Sequence, residues 1–337
     1  MKEAMFYQPG KENEVACGLC SHRCQIREGK KGICGVRENR EGKLYSLVYG
    51  RLVAENVDPI EKKPLFNFLP GSRSFSIATV GCNFQCLHCQ NAGISQYPHL
   101  HGGEITGSQR RAESVVDYAV REGCASISYT YVEPTIFYEF AYDCSILAHQ
   151  EGLKNVFVSN GFMTPEVTRQ LAGVLDGINI DIKGFTDDFY KKVCKARLQP
   201  VLDNVRLMHE LGIWVETTTL IIPGLNDSPE ELRDIARFIK GVSPSIPWHV
   251  TAFYPTYKMQ DRPPTPASIL RQAREIGLEE GLRFVYEGNI PGEGGESTYC
   301  PACGEELISR YGFSIRHNHL VDGCCGKCGE KIEGVWN

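Results

Sequence analysis

Eleven of the 15 cysteines in this 337-residue chain fall into three short groups whose spacing suits metal ligation. The central group, in TVGCNFQCLHCQN, sets Cys82, Cys86 and Cys89 at C-x3-C-x2-C. Three thiolates within eight residues can wrap one face of a cubane iron–sulfur cluster, leaving the fourth iron without a protein ligand. An iron left open can chelate a small molecule, whereas a site closed by four cysteines only stores or passes electrons. The alternative is a zinc site that borrows His88 or His99.

The outer groups each hold four cysteines. Cys300, Cys303, Cys325 and Cys328 form two C-x2-C knuckles, each followed by glycine, which predicts a closed, structural zinc ribbon. The C-x2-C register selects Cys325 over its neighbour Cys324. At the other end, Cys17, Cys20, Cys24 and Cys34 lie within 18 residues. Two metals fit them. The knuckles CGLC and ICG, in a loop too small to fold unaided, favour zinc, and the reading leans that way; all-thiolate ligation favours a second iron–sulfur cluster. Cys124, Cys144 and Cys194 read as packed, inert thiols.

Composition narrows the setting. The N-terminal stretch has no apolar segment of signal-peptide type, and no run approaches the roughly 18 apolar residues of a membrane span. The chain is therefore expected in the cytoplasm, where clustered thiols mean metal or catalysis rather than disulfides. A formal net charge of −5, and a ribbon with more acidic than basic residues, give nucleic-acid binding no support.

The elements that must position these groups form an α/β pattern. Apolar, strand-like runs at 74–80, 125–131, 154–158, 177–182, 214–222 and 248–253 alternate with helical stretches, and 283–287 extends the series. Ser228, Pro229 and Glu231 spell a helix start with a capping box; Thr164-Pro165 and Thr265-Pro266 repeat the cap-then-proline signal. Such alternation predicts a parallel sheet with right-handed crossovers, here a partial (β/α)6 TIM-like barrel over 74–290. A Cys-rich N-terminal segment (1–73) precedes it, and the zinc ribbon (291–337) follows. Parallel α/β folds build sites where strands end at their C-termini. Cys82, Glu133, Ser159, Asn160, Asp181, Lys183 and Tyr254 all fall at such ends.

CNFQCLHC resembles the radical SAM signature, although His88 stands where an aromatic residue is commoner. The runs YTYVEPTIF, VSNGFMT, INIDIKGF, IIPGLND, WHVTAFYP and VYEGN resemble the pyruvate formate-lyase activating enzyme-like branch. With CGLCSHRC and TYCPACG, nearly the whole chain resembles the AmmeMemoRadiSam-system radical SAM enzymes. The resemblance implies a [4Fe–4S] cluster whose open iron binds S-adenosylmethionine (SAM) and splits it to a 5′-deoxyadenosyl radical. It also implies an electron donor such as flavodoxin or ferredoxin, with a protein substrate or pathway partners. By motif, Glu133 faces the cofactor's ammonium, and Ser159 and Asn160 lie near its ribose and carboxylate. Asp181 helps hold a monovalent cation, with Lys183 beside it; His249 and Tyr254 approach adenine or substrate as catalytic candidates. Each residue also has a plain structural reading: Glu133 paired with a lysine, Asp181 with Lys183, His249 as a core histidine. Thr218 and Pro255 stand where formate-lyase activases carry arginine and histidine, so glycyl-radical activation is not inherited with the fold. The competing classes are an iron–sulfur carrier, which needs a fourth protein ligand near Cys89, and radical chemistry on a small molecule.

Overall fold

The computed structural model describes residues 1–290, 292 and 294–337; Pro291 and Glu293, in the Gly-rich linker expected to open the ribbon, lie outside the described residues. Eight strands form one sheet in chain order: β1 (Ala54–Pro59), β2 (Arg73–Ala78), β3 (Ser126–Tyr129), β4 (Lys154–Ser159), β5 (Gly177–Asp181), β6 (Trp214–Ile221), β7 (Trp248–Ala252) and β8 (Val285–Gly288). Strands β2 to β8 run parallel. The fold is thus the expected α/β barrel, with the tentative run at 283–287 forming a seventh parallel strand. The addition is β1, which pairs antiparallel with β2 from Ala54↔Ala78 to Pro59↔Arg73.

The parallel strands are buried on both faces, as a sheet enclosed by crossover helices requires. Those helices are α1 (Ala112–Arg121), α2 (Tyr138–Gln150), α3 (Pro165–Leu171), α4 (Gln199–Glu210), α5 (Pro229–Val242) and α6 (Ala267–Glu279). Helix α5 shows the logic: Leu232, Ile235, Ala236 and Ile239, at helical spacing, are its buried residues. Burial of such an aliphatic side chain contributes about 1.5–3 kcal/mol. Ser228 accepts from the Glu231 amide, as expected, but the Glu231 carboxylate accepts from the Phe185 amide instead of closing the box. Thr164 caps no amide either; its hydroxyl donates to the Gly18 carbonyl and ties down the N-terminal segment.

The two ends of the barrel are closed differently. At the floor, where strands begin, the loop after β1 enters the sheet and Glu216 on β6 receives it. Glu216 is fully buried, and its carboxylate accepts from the Phe66 and Asn67 amides and the Trp214 indole, and pairs with His249 at 2.6 Å. Asn67 passes the link on to the C-terminal segment through the Glu333 carbonyl and the Val335 amide. Arg310, on the hairpin strand Glu306–Tyr311, donates to the Phe66 carbonyl. The C-terminal four-cysteine segment is therefore a plug under the floor. The N-terminal segment lies at the mouth: Ser21 and Thr164 donate their amides to the Phe162 and Leu19 carbonyls, respectively.

Glu216→Ala strands two buried amides, the Trp214 indole and a histidine at once. Breaking a buried, hydrogen-bonded charge costs about 3–5 kcal/mol. A fall of that size in the denaturant-unfolding free energy is expected; a loss under about 1 kcal/mol would show that the floor does not depend on this carboxylate.

Candidate active site at the barrel mouth

Beyond β2 the chain turns at Gly81, whose φ is +98°. A Cβ there would meet Val36 Cγ1 at 2.5 Å and the Cys34 carbonyl at 3.0 Å, so the N-terminal segment rests directly on this turn. The following loop, 82–89, is held by backbone bonds from both sides. The Gln85 and Leu87 amides donate to the Cys194 and Val193 carbonyls, and the Lys258 amide donates to the Leu87 carbonyl. Phe84 is buried and packs edge-on against Phe162 and Tyr190.

Two thiols of the loop have hydrogen-bonding neighbours. The Phe84 amide donates to Cys82 Sγ at 3.4 Å, and the Ser95 hydroxyl lies 3.2 Å from Cys89 Sγ. The Cys194 thiol lies near enough to Cys86 to act on its ionisation. Burial pushes the Cys82 and Cys89 thiols up, and for Cys86 the contact with Cys194 and burial do so together. Such thiols favour their anionic form when a cation binds them.

Around the loop, the Glu133 carboxylate is 3 % exposed and accepts from the Thr135 amide and hydroxyl, the Ser159 hydroxyl and the Asn160 amide. Burial raises its pKa, and those donors pull it back down. Asn160 Nδ2 donates to Asn83 Oδ1 at 2.7 Å, while Asn83 Nδ2 is buried with no partner among the described residues. Lys183 Nζ pairs with Asp181 at 2.8 Å. Burial opposes the charge on Lys183, yet Asp181, Cys86 and Cys194 together push its pKa well above the ordinary lysine value. His88, next to Cys89, is buried and held neutral, its pKa pushed down to about 3 by burial and then by Lys183.

A three-thiolate cluster fits this donor set. Two of the three cysteines meet a hydrogen-bonding neighbour, a lysine charge lies near Cys86 and Cys89, and an orphaned amide N–H stands beside Cys82. The structure thus brings together Cys82, Cys86, Cys89, Glu133, Ser159, Asn160, Asp181 and Lys183. It does not bring His249 there: that ring sits at the second residue of β7, buried at floor level against Glu216, with Phe66 edge-on at 4.7 Å. Tyr254 is on the mouth side but 48 % exposed, its hydroxyl donating to the Asn289 carbonyl.

Sequence reasoning missed two features. Cys194, read as an inert thiol, lies near Cys86: it ends a π-helical turn, Tyr190–Cys194, and its carbonyl accepts from the Gln85 amide of the loop. Asp58, Lys63 and Tyr131 form a second polar group. Asp58 pairs with Lys63 at 2.6 Å and Lys62 at 2.9 Å, accepts the Tyr131 hydroxyl, and Lys63 Nζ lies 4.7 Å over the Tyr131 ring. The only sequence signal was charge in a run without periodicity, DPIEKKP.

Comparison with known proteins agrees with this geometry. Residues 76–239 match the Radical SAM superfamily, a span that holds the three-cysteine loop, Glu133 and Lys183. The uncharacterized protein MJ0808 of Methanocaldococcus jannaschii is 48% identical over 338 residues, covering 99% of this chain and 100% of that protein. The pyruvate formate-lyase-activating enzyme of Clostridium pasteurianum is 25% identical over 175 residues, 51% of this chain and 71% of that enzyme. Among solved structures, Streptococcus suis SuiB bound to precursor peptide SuiA superposes with a TM-score of 0.52 at 16% identity, over 68% of this chain and 51% of SuiB. This chain belongs to the radical SAM superfamily, with relatives among the pyruvate formate-lyase-activating enzymes. Membership implies an enzyme that cleaves SAM at a [4Fe–4S] cluster. No helix among the described residues is long and apolar enough to cross a membrane.

Cys194→Ala removes a neighbour of Cys86 without removing a cluster ligand. Iron content of about four per central site is expected to persist, with a shifted midpoint potential because a polar neighbour of the ligand sulfur is lost. Loss of the cluster would instead make Cys194 a fourth ligand and favour an electron carrier.

Proposed function

We propose that this chain is a radical SAM enzyme of activating-enzyme type that abstracts hydrogen from a polypeptide presented at the barrel mouth. The observation that carries the reading is the loop of Cys82, Cys86 and Cys89, with the Phe84 amide on Cys82, the Ser95 hydroxyl beside Cys89 and the Lys183 charge near Cys86. Those three cysteines hold the cluster. The cluster, with SAM bound, would supply one-electron reduction of the SAM sulfonium and so the radical that abstracts hydrogen. A one-electron donor of flavodoxin or ferredoxin type supplies that electron in turn.

The chain's own residues bind and orient. Glu133 works through its donors: with Oε1 shared by Thr135 and Ser159 and Oε2 held by the Asn160 amide, it fixes the ends of β3 and β4 toward the cofactor. Asn83 Nδ2 remains free to donate to an acceptor beside Cys82. The Lys183 ammonium supplies, next to Asp181, the positive charge that the sequence assigned to a monovalent cation. Support for a polypeptide substrate comes from relatives named for activating another enzyme and from the peptide-bound SuiB of like fold. The Thr218 and Pro255 positions argue for a target other than that of the formate-lyase activases. His249 takes no part; it belongs to the floor. The C-terminal thiols, with Cys300–Cys328 at 3.6 Å and Cys303–Cys325 at 3.8 Å, suit a structural zinc ion.

Anaerobically reconstituted protein with dithionite is expected to convert SAM to 5′-deoxyadenosine and methionine, and Cys86→Ala to abolish this. Wild type that holds a full cluster yet releases no 5′-deoxyadenosine would sink the reading. Glu133→Ala is expected to weaken SAM binding by about tenfold, because Ser159 and Asn160 lose the carboxylate that positions them, with iron content unchanged. Unchanged affinity in a variant that merely melts earlier would give Glu133 a purely structural role.

A further inference from the structure

Zinc and a cubane cluster ask different things of four thiolates. Around one zinc ion, with bonds of about 2.3 Å, tetrahedral geometry brings the sulfurs to roughly 3.8 Å from one another. Around a [4Fe–4S] core the irons push the ligand sulfurs apart to on the order of 6 Å. The chain carries both patterns. The C-terminal four converge at the zinc distances, 3.6 and 3.8 Å. Among the described residues they alone bring three or more ligand atoms within 4.8 Å of one another. The N-terminal four do not close up in that way. Cys17, Cys20, Cys24 and Cys34 line one pocket together with Leu19, Ile26 and Ile136. They are still near enough to interact electrostatically: Cys20 feels each of the other three.

A second observation points into the same cavity. Arg37 lines it and is 1 % exposed. Its two terminal nitrogens are used by Glu139, at 3.0 and 2.8 Å, and one of them also by the Met5 carbonyl. Its Nε, buried, has no partner among the described residues. A buried guanidinium N–H left unpaired is costly unless a ligand accepts from it. Bridging sulfides and cysteine sulfurs are such acceptors.

We infer that Cys17, Cys20, Cys24 and Cys34 hold a second, closed [4Fe–4S] cluster, with Arg37 Nε donating to its sulfur. This reverses the lean to zinc drawn from the knuckle spacing. With all four irons ligated by protein the cluster binds no SAM, and its chemistry is one-electron storage. It lies against the active loop. The Cys34 carbonyl abuts Gly81, next to Cys82, and His22, between Cys20 and Cys24, bonds to the Asn83 carbonyl at 2.8 Å. The inference stands apart from the proposed activity, because it concerns iron that remains when the central ligands are gone.

The test is metal and sulfide content, with Mössbauer spectra, of the full chain reconstituted anaerobically. Wild type is expected to hold about eight irons, and the Cys82/Cys86/Cys89→Ala variant about four with matching sulfide and a [4Fe–4S] signal. Cys20→Ser placed on that variant should remove the remainder. Four irons in wild type and none in the triple variant, with or without a second zinc, would overturn the inference. Should the triple variant fail to fold, the wild-type count of eight against four still decides. Absence of SAM cleavage in a chain that holds eight irons would count against the proposed activity alone.

Discussion

A carboxylate sealed inside a barrel must find as many donors as it has lone pairs to satisfy, and Glu216 sets that condition for the whole floor. Its oxygens draw in the backbone of Phe66 and Asn67, the Trp214 indole and His249, which joins a loop, β6 and β7 in one network. Because Asn67 then bonds the C-terminal segment and Arg310 reaches back to the Phe66 carbonyl, the ribbon is fixed through the same two residues. The candidate site residues gather at the other end of the strands. The chemistry at the mouth is thus confined by a polar network at the base.

The mouth follows the opposite rule, with each polar group supported but left room for a ligand. Glu133 is saturated by its own chain and so acts by placing Ser159 and Asn160. Lys183 and Asp181 form an ion pair whose ammonium lies near Cys86 and Cys89, a source of fixed positive charge in a buried site. Sulfur ligands on an anionic cluster gain from such a charge and from amide donors, which shift potential as well as stability.

Much of this was legible in the sequence, for physical reasons. Parallel strands buried on both faces read as apolar runs, so the six runs and the tentative seventh each match a strand within a few residues at either end. The three-cysteine loop was legible because ligand spacing is local. What escaped depended on pairing distant in sequence. Strand β1 carries Glu55, Asn56 and Asp58 and ends at Pro59, as an antiparallel edge strand can, and no apolar alternation marked it. Tyr131 meets Asp58 only because β1 pairs with β2 and β2 with β3. His249 looked like a site residue from its neighbours, but its side chain is at the base because the second residue of a strand lies near the floor. The knuckle spacing of the N-terminal cysteines could not tell a one-metal site from a four-metal site, since that depends on how far the folded loops hold the sulfurs apart.

The N-terminal segment's grip on the far wall has a bearing on how the chain matures. Ser21 reaches the Met163 carbonyl and Thr164 the Gly18 carbonyl, pairs separated by 142 and 146 residues. Contacts of such high order form late, after the costly closure of long loops. On a nascent chain, Cys82, Cys86 and Cys89 emerge well before residues 160–164 can draw the amino-terminal lid across them. In the interval between those two events the central thiols stand uncovered.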